Sequence, residues 1–438
     1  MDNGYYAWMI VATALVLMMT TPALALFYGG MTRAKSVLNM MMMSYVAMGT
    51  VGLSFILWGW SEGWGGDGAG NLNAKLIASP FHLWGLHGVS PSNYIYVLFQ
   101  LTFAAITVAL ISGSIADRVR ILPWAIFTVL WVTVVYYPIA HNVWAGGWLY
   151  HHFPNLDYAG GTVVHINAGI AGGVLALIIG KRIGFKKDPM KPHNLTLTMI
   201  GAGLLWFGWY GFNVGSIVFT SDSLKDPAKF TAQFQAETGA TFINTTVATM
   251  AAMLAWLLVE RVVHGKFTSL GAASGIVAGL VAITPSCGAV NIWGAMAIGA
   301  IAGAVCAVAV GFKYKIGLDD SLDVVGVHLT GGILGALLIG FLGTSAGSPQ
   351  GADGLFTDQH GNPMNGIFYG GSGELLWHQL AGVLFTLIWS GVGTAIIALV
   401  IKYTIGWRVK PEAEVEGIDD DQHGESAYDV APGSGVLV

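Results

Sequence analysis

Long apolar stretches recur along this chain at nearly even intervals, and polar positions gather between them. A helix that crosses a bilayer needs about 20 mostly apolar residues. Eleven segments approach or exceed that length, near 5–28, 39–60, 93–115, 122–140, 161–180, 196–218, 239–259, 269–286, 291–312, 323–344 and 376–403. The eighth and ninth are separated only by a short break beginning at Thr284-Pro285-Ser286. The pattern predicts an all-α polytopic membrane protein with eleven transmembrane helices.

Two of these segments share an unusual feature. The fifth opens on Asp157-Tyr158-Ala159-Gly160-Gly161-Thr162-Val163-Val164-His165-Ile166-Asn167, and the tenth contains Gly326-Val327-His328-Leu329-Thr330-Gly331-Gly332. From each histidine onward both read His-x-x-x-Gly-Ile-x-Gly. The motifs lie five helices apart. Because five is odd, helices 6–10 must cross in the opposite sense to helices 1–5, which is the arithmetic of an inverted repeat with functional groups near the midplane. His165 and His328 are expected to enter from opposite faces and meet.

Composition narrows the class. The chain has 438 residues, 54% hydrophobic and 10% charged, whereas soluble domains carry about 25% charged residues. No basic block dense enough for nucleic acid is present. Cys287 and Cys306 show neither disulfide nor metal spacing. The start, Met1-Asp2-Asn3-Gly4, lacks the positive residues of a secretory signal, so the first apolar run reads as an uncleaved transmembrane helix.

Positive loops stay on the cytoplasmic side. Taking the loops alternately, 16 of the 19 Lys and Arg residues fall on one side, and only Lys75, Lys225 and Lys229 on the other. The N-terminus is therefore expected outside and the C-terminus inside. Eight carboxylates and no Lys or Arg lie between Glu412 and Asp429, making the inner tail strongly acidic. The chain divides into a transmembrane domain, 1–405, and a cytoplasmic tail, 406–438. Small residues at four-residue spacing, such as Gly169/Gly173, Gly275/Gly279, Gly299/Gly303 and Gly331/Gly335, imply close helix packing. Trp58, Trp60, Trp64, Trp84, Trp144 and Trp148 crowd the outer helix ends, and all but Trp144 read as an interfacial aromatic belt. The 345–374 outer loop, with Asp353, Asp358 and His360, is assigned no role.

An intramembrane ionisable group is costly and usually marks a pathway. Two histidines without a buried carboxylate or cysteine make a poor metal site, and no cofactor or metal is called for. The spans as delimited hold almost no other ionisable side chain. An apolar passage with two neutral imidazoles excludes bare ions and suits a small solute that crosses uncharged or surrenders a proton. Attracting a cation to its outer end calls for aromatic faces, for which Phe99, Phe103 and Trp144 are candidates. Asp157 adds negative potential or caps the fifth helix.

The motifs around Asp157 and His165, Gly208-Trp209-Tyr210-Gly211-Phe212-Asn213-Val214-Gly215-Ser216, Asp323-Val324-Val325-Gly326-Val327-His328 and Phe27-Tyr28-Gly29-Gly30 resemble those of the ammonium transporter family (Amt/Mep/Rh). The tail segment Glu416-Gly417-Ile418-Asp419…His423-Gly424-Glu425-Ser426-Ala427-Tyr428 is similar to that of bacterial and plant members. The resemblance implies a homotrimer in the cell membrane with a pore through each subunit, and ammonium or ammonia as substrate. It makes His165 and His328 a twin-histidine pair; Phe103, Trp144 and Ser216 an ammonium-recruitment site; and Phe103 with Phe212 a phenyl gate. Trp209 and Tyr28 become pore-lining aromatics, Asp157 an acid important for transport, and the tail a regulatory segment that packs on the cytoplasmic faces and couples neighbouring subunits, with a PII-type signal protein as partner at the cytoplasmic face. Two alternatives stay open: a passive ammonia or carbon dioxide channel, and an ammonium sensor. A sensor of this type usually carries an appended signalling domain, whereas this chain ends about 30 residues after its last helix. No enzymatic activity is expected.

Overall fold

The computed structural model describes residues 2–65, 75–188, 190–348 and 364–428. The described residues are helical, joined by turns and one isolated β-bridge between Val119 and Arg408. In chain order the long helices are α1 (Asn3–Met31), α2 (Ala34–Trp64), α3 (Pro91–Ile115), α4 (Ile121–His152), α5 (Gly161–Ile179), α6 (Leu195–Val214) and α7 (Pro227–His264). They continue with α8 (Ser269–Ile283), α9 (Ile292–Ile316), α10 (Val325–Leu342) and α11 (Glu374–Thr404). Ten are long and apolar enough to cross a membrane. The exception, α8, is 15 residues long.

The shortness of α8 has a local cause. Residues 284–290 turn inside the protein rather than completing the helix, with Thr284, Ser286, Cys287 and Val290 buried. Non-helical backbone is tolerated at such depth only where its polar groups are satisfied. Asn244 on α7 supplies that, donating to the carbonyls of Cys287 and Val290 at 2.9 Å each.

Helix packing recurs with a shift of five. Contacts α1–α3, α2–α3 and α2–α4 reappear as α6–α8, α7–α8 and α7–α9. Glycine permits the tightest of these. A Cβ built on Gly299 or Gly303 would lie 2.1 or 2.2 Å from the carbonyl oxygens of Ala248 and Ala252 on α7. With no solvent-driven burial between helices, such close backbone approach is what dispersion requires.

Two helices outrun the segments their hydropathy delimits. α7 has 38 residues, about 57 Å at 1.5 Å per residue, against a hydrocarbon core of about 30 Å. Asp226 caps its start by accepting from Ala228 and Lys229, and Pro227 occupies the first turn, where proline costs nothing. The extensions of α2 and α7 bring Glu62 and Glu237 into these helices, both buried. The expectation of spans nearly free of ionisable groups holds for their centres and fails at these ends.

The acidic tail is ordered over its described length. Composition alone reads such a segment as disordered, but specific acceptors hold it. In the short helices α12 (Pro411–Glu416) and α13 (Ile418–His423), the Glu414 carboxylate accepts from Ile183 N at 2.6 Å and pairs with Arg408 at 2.5 Å. Asp419 accepts from Leu38 N and Asn39 N at the start of the main α2 helix, at 3.0 and 2.8 Å. Tyr428 shares a hydrogen bond with His193 Nε2 at 2.9 Å. The segment beyond Ala431 and the loop residues Asp353, Asp358 and His360 lie outside the described residues.

Candidate functional site: a histidine pair in an apolar cavity

His165 and His328 meet. Their Nδ1 atoms are 3.3 Å apart and their ring centroids 5.4 Å, with the rings tilted by 28°. Both are buried, at 1% and 3% exposure. One nitrogen must donate and the other accept, so neutral rings in this contact carry opposite tautomers. The remaining nitrogen of His165, Nε2, is buried without a hydrogen-bond partner.

Each histidine rides on a π-helical turn, Gly161–Ile166 in α5 and Val325–Leu329 at the start of α10. Such turns are concentrated at functional sites. The carrier helices cross closely: a Cβ on Gly169 would lie 2.5 Å from Leu329 N. Leu329 adjoins His328, so this contact fixes the separation of the rings.

Matched carboxylates start both turns. Asp157 Oδ1 accepts from Gly160 N and Gly161 N at 2.8 and 2.5 Å, and Oδ2 from Thr162 N and Val163 N at 2.9 and 3.1 Å. The Thr162 hydroxyl donates to the same Oδ2. Burial pushes this carboxyl's pKa up, and the hydrogen bonds from the Thr162 hydroxyl and from the N–H groups of Val163, Gly160 and Gly161 oppose that by favouring the anion. On the other half, Asp320 Oδ1 accepts from Val324 N and Ser114 Oγ at 3.1 and 2.8 Å, and Oδ2 from Val325 N at 2.8 Å. Both acids stand eight residues before their histidine. The sequence reading missed Asp320, although the repeated Asp-x7-His spacing was there to find it.

The space beside the rings is a narrow cavity of about 10 Å³, room for roughly one water-sized molecule. Leu24, Phe27, Ile106, Leu110, Leu205 and Val277 line it along with His165, His328, Trp209 and Phe212. Its wall is apolar apart from the imidazoles and the Trp209 indole. Trp209 stacks on His165 at 5.4 Å and 24°, its Nε1 donating to Thr284 Oγ1 at 2.8 Å. Asn213 and Thr245 extend that polar chain. The chain escaped the sequence reading because its members come from α6, α7 and the turn after α8.

Phe103 and Phe212 stack face to face above the cavity, with centroids 4.0 Å apart and planes within 6°. Trp144 stands edge-on to Phe103 at 6.0 Å, its Nε1 held by Asp157 O at 2.7 Å. Phe99 lies 4.8 Å from Phe103. Ser216, in the turn just past α6, joins this group through its hydroxyl, which donates to Phe212 O at 2.8 Å. Tyr28 stands apart from the cavity wall, where its neighbour Phe27 takes the lining position. Its hydroxyl donates to Leu110 O at 3.0 Å, and its ring lies over Gly113.

Glu237 adds a buried carboxylate near this end. Its oxygens accept from Tyr158 OH and Gln233 Nε2 at 2.8 and 3.0 Å. Through Tyr158 it braces the residue next to Asp157.

A bundle of membrane-crossing helices built around a narrow apolar cavity with two facing imidazoles defines a multi-pass membrane protein of the transport class. The chain belongs to the Ammonium Transporter Family, whose model matches residues 7–428. An ammonium transporter of Mycobacterium tuberculosis is 49% identical over 469 aligned residues, covering 100% of this chain and 92% of the relative. One from Aquifex aeolicus is 45% identical, covering 98% and 94%. Among solved structures, Saccharomyces cerevisiae Mep2 superposes with a TM-score of 0.81 at 31% identity, covering 94% of this chain and 88% of that one. A structure described as a sensor Amt protein gives 0.81 at 26% identity, covering 96% and 98%.

Proposed function

We propose that this protein recruits ammonium at an aromatic vestibule, strips its proton, and conducts ammonia past His165 and His328. The observation carrying the proposal is the 3.3 Å imidazole pair beside an apolar cavity that admits about one small molecule. Phe103, Trp144 and Ser216 form the recruitment site. Cation–π attraction there is worth roughly 0.5–2 kcal/mol and grows as water is removed. A bare ion entering the cavity forfeits its hydration without compensation, so ammonium leaves a proton behind. Vestibule water takes it, or the His165–His328 pair takes and relays it. Neutral ammonia then crosses with imidazole nitrogens as its polar partners.

In this reading eleven helices cross the cell membrane, α1–α5 and α6–α10 being inverted repeats, with the N-terminus outside and the C-terminus inside. Residues 1–405 form the transporter domain and 406–438 the regulatory tail. The chain works as a homotrimer, each subunit carrying its own pore, with a PII-type signal protein as cytoplasmic partner.

An ammonium concentration jump across liposomes holding the protein should produce a current in the direction of ammonium entry. Flux without current would sink the relay and leave a passive gas channel. Phe212→Ala removes one face of the Phe103 stack and opens the cavity roof. It is expected to change transport rate and leak severalfold while cation affinity at the vestibule changes less. Direct binding measurements giving the reverse order would move Phe212 into the recruitment site.

A further inference from the structure

The segment joining α2 to α3 has a character unlike an ordinary surface loop. Residues 76–90 contain no Asp, Glu, Lys or Arg, where a water-facing stretch of that length would carry about four. It begins at the Trp144 end of the bundle: Trp148 N donates to Lys75 O at 3.1 Å, and Asn142 Nδ2 to Leu76 O at 2.7 Å. From there it folds down the flank of α2. Ser61 Oγ holds it twice, donating to Ser79 O at 2.8 Å and accepting from Leu83 N at 2.9 Å.

The descent ends in an aromatic ladder. Phe81 stacks on Trp84 at 6.0 Å and 23°, and Trp84 on Trp58 at 5.8 Å and 21°. Trp58 Nε1 donates to Thr133 Oγ1 on α4 at 2.9 Å. Thr133 lies eleven residues before Trp144, about 16 Å along the helix axis. The ladder is thus tied to α4 well below its Trp144 end. Its outer members face away from the protein: Phe81 is 72% exposed, Ile77 50% and Trp84 45%. The two membrane-crossing helices to which the loop is tied, α2 and α4, also expose Leu53, Leu57, Leu130 and Val134, so the loop adjoins helices that carry outward apolar side chains of their own.

We infer that residues 76–87 are embedded in the membrane leaflet on the Trp144 side, with Phe81 and Trp84 against lipid acyl chains. The adjoining apolar side chains and the missing formal charge favour acyl chains over a water-soluble partner, and the quenching test below separates lipid from a second copy of the chain. Burial of aromatic and aliphatic side chains drives the insertion, and Trp is favoured at that depth because its ring is amphipathic. Ser61 and Thr133 fix the loop so that its apolar side chains point outward without an ordering cost on insertion.

Cys287 and Cys306 are both buried, which makes single-site labelling practicable, with the unsubstituted protein as control. Phe81→Cys, and separately Ile77→Cys, would each be labelled with an environment-sensitive NBD fluorophore and reconstituted into liposomes. Nitroxide attached to lipid acyl chains should remove most of the emission, while aqueous iodide should leave it nearly unchanged. Emission lost to iodide at both positions would put the loop in water and overturn the inference. Protection from both quenchers would overturn it too, since another copy of the chain would then cover the loop. Ammonium transport by the labelled variants reports that each is folded.

Discussion

His165→Ala and His328→Ala are each expected to abolish selective ammonium transport while the helical bundle still folds. Either change removes half of the imidazole contact and leaves the other Nδ1 buried without its partner, at about 1–3 kcal/mol. It also enlarges a cavity that now holds about one water-sized molecule. The stability cost of such truncation is about 2–4 kcal/mol, small enough for a bundle of this size to survive. The functional cost is larger. Water and hydrated ions gain access, and the polar partners of a passing ammonia are lost. Ammonium-dependent current measured with and without competing potassium would report both effects. Because the rings act as one unit, the double variant should be no worse than the poorer single one. Wild-type rate and selectivity in both single variants would make the histidines structural.

Asp157→Ala is expected to lower transport at least tenfold and to lower the thermal midpoint together with it. Asp157 accepts four backbone N–H groups and the Thr162 hydroxyl. Deleting it orphans buried donors at about 1–3 kcal/mol each, before water relieves some of them. The affected turn carries His165, and each 1.4 kcal/mol lost from its positioning costs about a factor of ten. Asp157→Asn separates two roles. If Asp157 is a cap, the amide, with one acceptor oxygen in place of two, lowers stability and transport in parallel. If the carboxylate instead binds the cation, cation affinity falls while the melting temperature holds. That second outcome would defeat the capping account, which rests on both oxygens being fully engaged.

Much of this arrangement was legible in the chain. Hydropathy located the helices because a bilayer demands long apolar runs, and the break at Thr284-Pro285-Ser286 correctly separated α8 from α9. The spacing of His165 and His328 in matched frames announced the pair. Hydropathy could not delimit helix ends in the flanks of the membrane, where polar residues are tolerated. Glu62 and Glu237 were therefore left out of α2 and α7. Tail order was illegible from composition, because Glu414 and Asp419 owe their partners to distant loops.

What the sequence determined alone is whatever depends on local periodicity: the apolar spans, the twofold histidine motif and the charge asymmetry of the loops. Tertiary structure decided which groups touch. The Nδ1–Nδ1 contact joins residues 163 apart, and Asp320 is completed by Ser114 from 206 residues away. Trp209 is set by Thr284, and the Phe103–Phe212 stack joins α3 to α6. Hydrogen bonds and ring stacking act over a few ångströms, and no pattern along the chain fixes such distances until the helices have crossed.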